Sequence, residues 1–247
     1  MIIGIIGNTE LTLKGIRLLI DQGHKIDYVF GLDQEHIKSK VNAVDLQSVC
    51  LKHNIEYIEG GPRFSEIAQR KVDLVIALGD SRFIPVKNFT CPVIGNHGAA
   101  LPDVKGGASL VWARLINNGR WGVSLMDLDE KLDSGKILGV SRFKYSTIMS
   151  MDKFVSLCDD KTIELLEGYM NNTLTPPQKQ NSKTMITVGK HIDSQIGTAL
   201  AIHADFWNLS IYLPARTPED SIMNQSWDSQ FKINFKLANS TPYPEYK

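Results

Sequence analysis

Apolar residues in the first hundred positions come in short blocks separated by amphipathic stretches. Ile2–Ile6 is a β-branched run that stops at Gly7-Asn8, the pattern of a buried strand. Leu11, Gly15, Leu18, Leu19 and Gln22 then recur at near-helical spacing, with Gly23 as a stop signal. Residues 26–30 predict a second strand, and after a polar interval residues 44–53 predict a second helix. Residues 55–58 read as a short strand closed by Gly60-Gly61-Pro62. Residues 64–70 fit a short helix, and residues 72–78 form an apolar strand interrupted only by Asp73. The stretch 92–139 opens with a β-branched run ending at Gly95-Asn96-His97. It continues through a Pro/Gly loop, an apolar segment of helical length and a second strand-like run, and ends on an acidic turn holding Asp133. Strands alternating with helices in this order predict an α/β fold, a mostly parallel, doubly wound sheet of Rossmann-like topology with right-handed crossovers.

The pattern changes after Gly139. Met151–Met170 predicts a long helix with Phe154, Cys158, Ile163 and Leu166 on roughly one face. Residues 171–184 are rich in Asn, Thr, Pro and Gln and read as an exposed linker. The tail mixes strand-like pieces, such as 198–202 and 209–213, with turns and aromatics. The expected organisation is a catalytic domain over 1–170, a linker over 171–184 and a small mixed α+β or β-rich appendage over 185–247.

Composition narrows the function classes. Lys plus Arg and Asp plus Glu are both 27, so the net charge is zero, which argues against a broad nucleic-acid footprint. Three widely spaced cysteines lack metal-ligand spacing and read as reduced thiols of a cytoplasmic protein. No apolar run approaches the ~18 to 20 residues of a membrane span.

Three features are candidates for chemistry. Gly4-Ile-Ile-Gly7 ahead of a helix suggests a dinucleotide turn, but the third glycine is missing, and a tight strand-to-helix turn is the plainer reading. Residues 78–85 follow an apolar strand; such a loop either offers main-chain groups to a flat heterocycle or simply connects. His97 and Asp133 stand just past two strand-like segments, where an open α/β sheet places its ligand crevice. His191-Ile-Asp193 and His203-Ala-Asp205 lack a third ligand at recognisable spacing and read as surface or turn polar groups.

A series of short matches adds to this. His97 precedes Leu101-Pro102, followed by Lys105-Gly106, Trp112-Ala113, Asn118-Gly119 and Gly122-Val123-Ser124. Residues 128–137, Leu-Asp-Glu-Lys-Leu-Asp-Ser-Gly-Lys-Ile, close it. In this order and spacing they resemble the folate-dependent formyltransferases. That family includes methionyl-tRNA formyltransferase, glycinamide ribonucleotide transformylase and the nucleotide-sugar N-formyltransferases. The family usually carries Asn-x-His before the Leu-Pro; here Gly95 takes the Asn slot and Asn96 the middle one. Met126 replaces a histidine common in other members. Both departures resemble a sugar-type subgroup.

The resemblance implies transfer of a formyl group from N10-formyltetrahydrofolate to a primary amine, with no metal and no covalent enzyme intermediate. The amine must be unprotonated to attack, so a base must take its proton. A histidine suits this because its unperturbed pKa of ~6.5 lies near working pH. His97 is the expected base, Asp133 the carboxylate that orients it, and Asn96 the nearest candidate donor to the oxyanion. Arg82, Phe83 and Ile84 match positions whose backbone holds the pterin, and the turn with Leu128, Asp129, Glu130 and Leu132 matches its other wall. Lys105 and Gly106 match a substrate-side position.

A tRNA substrate would favour a basic surface and a larger C-terminal barrel. The ribonucleotide enzyme carries a Gly-rich loop where this chain has Gly7-Asn8-Thr9-Glu10. A nucleotide-linked amino sugar remains, with no nucleic-acid or membrane partner. The tail then supplies sugar contacts, a homodimer surface or ordinary core, with Trp207, Tyr212 and Trp227 as aromatic anchors. Formylation of a tRNA-bound or peptidyl amine, formyltetrahydrofolate hydrolysis and non-catalytic folate or nucleotide binding are the alternatives.

Overall fold

A computed structural model describes residues 1–39, 42–60, 63–175, 178–180, 185–187, 210–216 and 218–243. The chain divides into two compact units, one of residues 1–96, 125–139 and 162–178, the other of residues 97–124, 140–161 and 179–247.

The first unit carries β1 (Ile2–Ile6), α1 (Glu10–Asp21), β2 (Lys25–Gly31), α2 (Gln34–Ser39), α3 (Gln47–Lys52), β3 (Glu56–Glu59), α4 (Ser65–Ala68) and β4 (Leu74–Ala77). β5 (Val93–His97) ends across the division. Every pairing along β3-β2-β1-β4-β5 is parallel, and β7 (Arg120–Asp127) and β8 (Ile137–Lys144) extend the sheet to seven strands. This is the Rossmann-like, mostly parallel sheet that the alternating pattern predicts. Its core in this unit gathers Ile6, Tyr28, Phe30, Phe64, Val75 and Val93.

Two local departures from the sequence reading have physical causes. The polar interval holds the short helix α2, started by Asp33, whose carboxylate accepts from the His36 amide at 2.8 Å. The helix expected over 44–53 shortens to α3 because its first residues are tied elsewhere. Val44 N–H donates to Asn8 O at 2.9 Å, and the Asn8 side-chain amide donates to Val44 O at 2.6 Å.

The second unit contains β6 (Val104–Gly106), α5 (Ser109–Ile116), β9 (Met185–Thr187), β10 (Ser210–Leu213) and α7 (Ser229–Ala238). β6, β10 and β9 form a small parallel sheet, and α7 packs on α5. Asn234 of α7 accepts from Asn117 at 2.9 Å and donates to Leu115 O at 3.2 Å. The predicted helix α6 (Met151–Met170) runs through both units and buries Phe154, Cys158 and Leu166. Thr162, four residues after Cys158, is buried where the sequence reading had Ile163. Tyr212 lies on β10 and Trp227 is buried against Phe231 and Phe235; Trp207, residues 198–202 and both His-x-Asp pairs lie outside the described residues.

Candidate active site

The order of the sheet puts its switch point between β1 and β4, where the loops after the two strands diverge. Here they interlock. Gly7 has φ 147°, and a Cβ on it would stand 2.2 Å from Leu78 O. Thr12 Oγ1 donates to the same carbonyl at 2.8 Å, and Thr9 caps α1 with its side chain against Gly79. Gly4 lies flat under Tyr28, whose ring a Cβ would meet at 2.3 Å. The Gly4–Gly7 fragment is therefore a packed strand and a tight turn. Asn8 accepts from Leu32 N at 2.5 Å and from Tyr57 Oη at 2.8 Å, so its side chain fastens the ends of β1, β2 and β3 together.

The loop after β4 is held from three sides. Arg82 pairs with the buried Asp80 carboxylate at 2.6 Å, donates to Gly60 O at 2.8 Å, and stacks its guanidinium on Phe30 and Phe64 at 5.0 and 5.2 Å. An ion pair this buried persists only with such satisfied geometry. Ile84 sinks into the core, and Phe83 between them is 69% exposed. Asn96 Oδ1 accepts from Gly79 N at 2.9 Å. Neighbouring strand residues point to opposite faces, so Asn96 faces away from the side His97 takes.

The turn after β7 closes around Asp129, whose Oδ1 accepts from Lys131 N at 2.9 Å and Ser134 Oγ at 2.6 Å. Gly135 passes so close to Asp127 O that a Cβ would lie 1.8 Å away. Leu128 N donates to Val93 O at 2.9 Å, joining turn to strand, and Glu130 lies 3.9 Å from Lys87. Leu132 is 63% exposed, whereas Asp133, in a left-handed conformation at φ 52°, is buried. Asp127 is pushed up from the ordinary carboxylate range by burial, with Lys136 opposing the shift. Asn96, Arg82, Phe83, Ile84 and the 128–133 turn thus all belong to the first unit.

His97 opens the second unit, together with Lys105 and Gly106. Its ring is buried, and Nε2 lies 3.0 Å from Val104 O. A carbonyl can only accept, so Nε2 carries the proton. The segment after His97 is clamped from β7. Trp121 Nε1 donates to Gly98 O, and Ser124 Oγ donates to Ala99 O and accepts from Leu101 N, each at 2.8 Å. Lys105 and Gly106 pair in register with Tyr212 and Leu213 of β10. Sequence reasoning missed Asp80 and Val104. Only Asp80 carried a signal, as an acid two residues before Arg82 in a strand-end loop.

No protein-family model matches the chain. Among curated proteins, it is 24% identical over 193 residues to methionyl-tRNA formyltransferase of Enterococcus faecalis, covering 72% of this chain and 62% of that one. It is 27% identical over 169 residues to the Mesoplasma florum enzyme of the same name, covering 64% and 53%. The chain is thus similar in sequence to formyltransferases. It spans between about half and three fifths of the length of these curated relatives. Among solved structures, a Helicobacter canadensis N-formyltransferase, in complex with folinic acid and dTDP-3-aminofucose, superposes at TM-score 0.68 with 18% identity. That match covers 96% of this chain and 80% of the other. A 4-N formyltransferase from Francisella tularensis superposes at 0.68 with 16% identity, covering 100% and 90%. These two likenesses establish the fold.

Proposed function

We propose that the protein transfers a formyl group from N10-formyltetrahydrofolate to the primary amine of a nucleotide-linked amino sugar. The observation that carries the reading is His97, buried at the carboxyl end of β5 with Nε2 committed to Val104 O. His97 is assigned the base that takes the proton of the attacking amine. Asp133 is assigned the orienting carboxylate, supported by its burial and its place in the matched motif. Asn96 is assigned to the support of the loop matched to the folate, its oxygen accepting from Gly79 N.

The residues present fit a folate donor. Phe83 and Leu132 offer exposed apolar faces on the two loops matched to its binding, and the Arg82 side chain fastens the first loop. When bound, the donor supplies the activated formyl carbon. Residues 82–84 and the turn with Leu128, Asp129, Glu130 and Leu132 would hold it, and Lys105 and Gly106 would face the acceptor. Three free thiols and the folate chemistry suit the cytoplasm.

The acceptor assignment draws on the balanced charge and on the sugar enzymes among the structural neighbours, one of them in complex with dTDP-3-aminofucose. The curated relatives, named for methionyl-tRNA, favour a tRNA-bound amine as the second reading. Incubation with N10-formyltetrahydrofolate and a panel of nucleotide 3- and 4-amino sugars, alongside charged tRNA, decides. A mass gain of one formyl group on a sugar is expected; formylation of tRNA alone, or of no acceptor, would overturn the sugar assignment.

A further inference from the structure

Taking residues 82–84 as one wall of the donor site, as in the reading above, we propose that Asp80 and Arg82 are positioning residues. Their ion pair, hung from the ends of β2 and β3, sets the place at which the loop after β4 meets the folate. The loop runs without a regular element from the end of β4 at Ala77 to a short 3₁₀ turn at Val86–Asn88, so no strand or helix ladder fixes its main chain. Side chains give it its shape. Asp80 Oδ1 accepts from Arg82 N at 2.8 Å and from Nε at 3.0 Å, and Oδ2 accepts from Nη2 at 2.6 Å. One carboxylate therefore closes the turn and orients the guanidinium. From there Nη1 reaches out of the loop, donating to Gly31 O at 3.3 Å and to Gly60 O at 2.8 Å. Gly31 ends β2, and Gly60 follows the last residue of β3. The two rings against the guanidinium, Phe30 and Phe64, pack on each other at 5.3 Å.

The loop thus takes its place from the sheet. Arg82 and Ile84 are drawn inward on either side of the exposed Phe83, so a shift of the guanidinium would carry the whole wall with it. Lysine is a poor substitute, because a point charge cannot serve a carboxylate and two carbonyls in one plane. Charge and position are separable here. Removing Arg82 alone leaves the buried Asp80 carboxylate without its partner, which costs stability as well as placement. Removing both charges together relieves that penalty but does not rebuild the links to Gly31 and Gly60.

The test compares the full chain with Arg82→Gln, Arg82→Lys and the double variant Asp80→Asn/Arg82→Gln. Each is measured for Tm, for affinity to folinic acid by calorimetry, and for amide hydrogen exchange in peptides covering residues 78–86. Arg82→Gln should melt lower, exchange faster in that loop, and bind folinic acid about tenfold to a hundredfold more weakly, the worth of one or two lost hydrogen bonds to the ligand. Arg82→Lys should fall between it and the wild type. The double variant should recover much of the Tm while its affinity stays low and its loop exchange fast, and it carries the comparison if Arg82→Gln does not fold. In turnover, the loss should fall on donor KM more than on kcat. A double variant that regains affinity along with Tm, or a folded Arg82→Gln with unchanged affinity and loop exchange, would overturn the proposal. If the wild type itself does not bind folinic acid, the folate reading fails; a wild type that binds, with variants that bind equally well, fails the ion pair alone.

Discussion

Asn96 and His97 are adjacent on one strand and engage different partners, Gly79 N and Val104 O, so substitution can separate their contributions. His97→Ala should lower kcat by about 10² to 10⁴, the usual contribution of a positioned base. Asn96→Ala removes one hydrogen bond beneath the loop assigned to the folate, and a typical net value of about 0.5–1.5 kcal/mol corresponds to about twofold to tenfold in donor KM. Steady-state kinetics with varied donor measures both; equal effects from the two variants would contradict this separation. Asp127 gives a test in pH. Burial raises its folded pKa above the unfolded value, so between the two the native state binds more protons. Its contribution to stability therefore falls as pH rises through that window and is unfavourable above it. Asp127→Asn should gain in Tm over wild type as pH is raised from about 4 towards neutrality, read by thermal melts across pH. A constant difference would show that the carboxyl is not desolvated.

Elements were legible from the sequence where a single face or a buried run decides them. β1, β2, β4 and α6 announce themselves by apolar periodicity alone, and the glycines at 60 and 79 mark where strands stop. β6, β8 and α2 do not. β6 takes its conformation from pairing with a strand about a hundred residues later in the chain, a partner that no local window contains. β8 is half exposed along much of its length, and α2 depends on one capping aspartate. The site followed the same division. His97, Asp133 and the acidic turn stood out as residue types in sequence order, whereas Val104 acts through its backbone, which has no residue signature. Gly135 is an element-scale test of the turn. Its Cα approaches Asp127 O, a backbone atom that cannot rotate away, so Gly135→Ala should cost about 1–3 kcal/mol. Calorimetry should show a Tm lower by roughly 2–10 °C, and an unchanged Tm would mean that the turn can re-form around a side chain.

At the scale of the whole molecule, charge separates the two acceptor readings. A protein that grips tRNA neutralises several phosphates and loses affinity steeply with salt. With equal numbers of acidic and basic residues, this chain should show no salt-dependent tRNA retention in a mobility-shift titration at about 0.15 M salt. Tight binding that weakens steeply with added salt would move the assignment towards the tRNA-bound amine.

Asn8 bears on how such a chain can change over generations. Its side chain accepts from Leu32 N and Tyr57 Oη and donates to Val44 O, so segments from three parts of the chain share one amide. An aspartate there would have the same shape but turn the donor into an acceptor facing a carbonyl. The three segments are thus inherited as a set: a graft that imports any one of them from another protein of this fold must also import what residue 8 recognises.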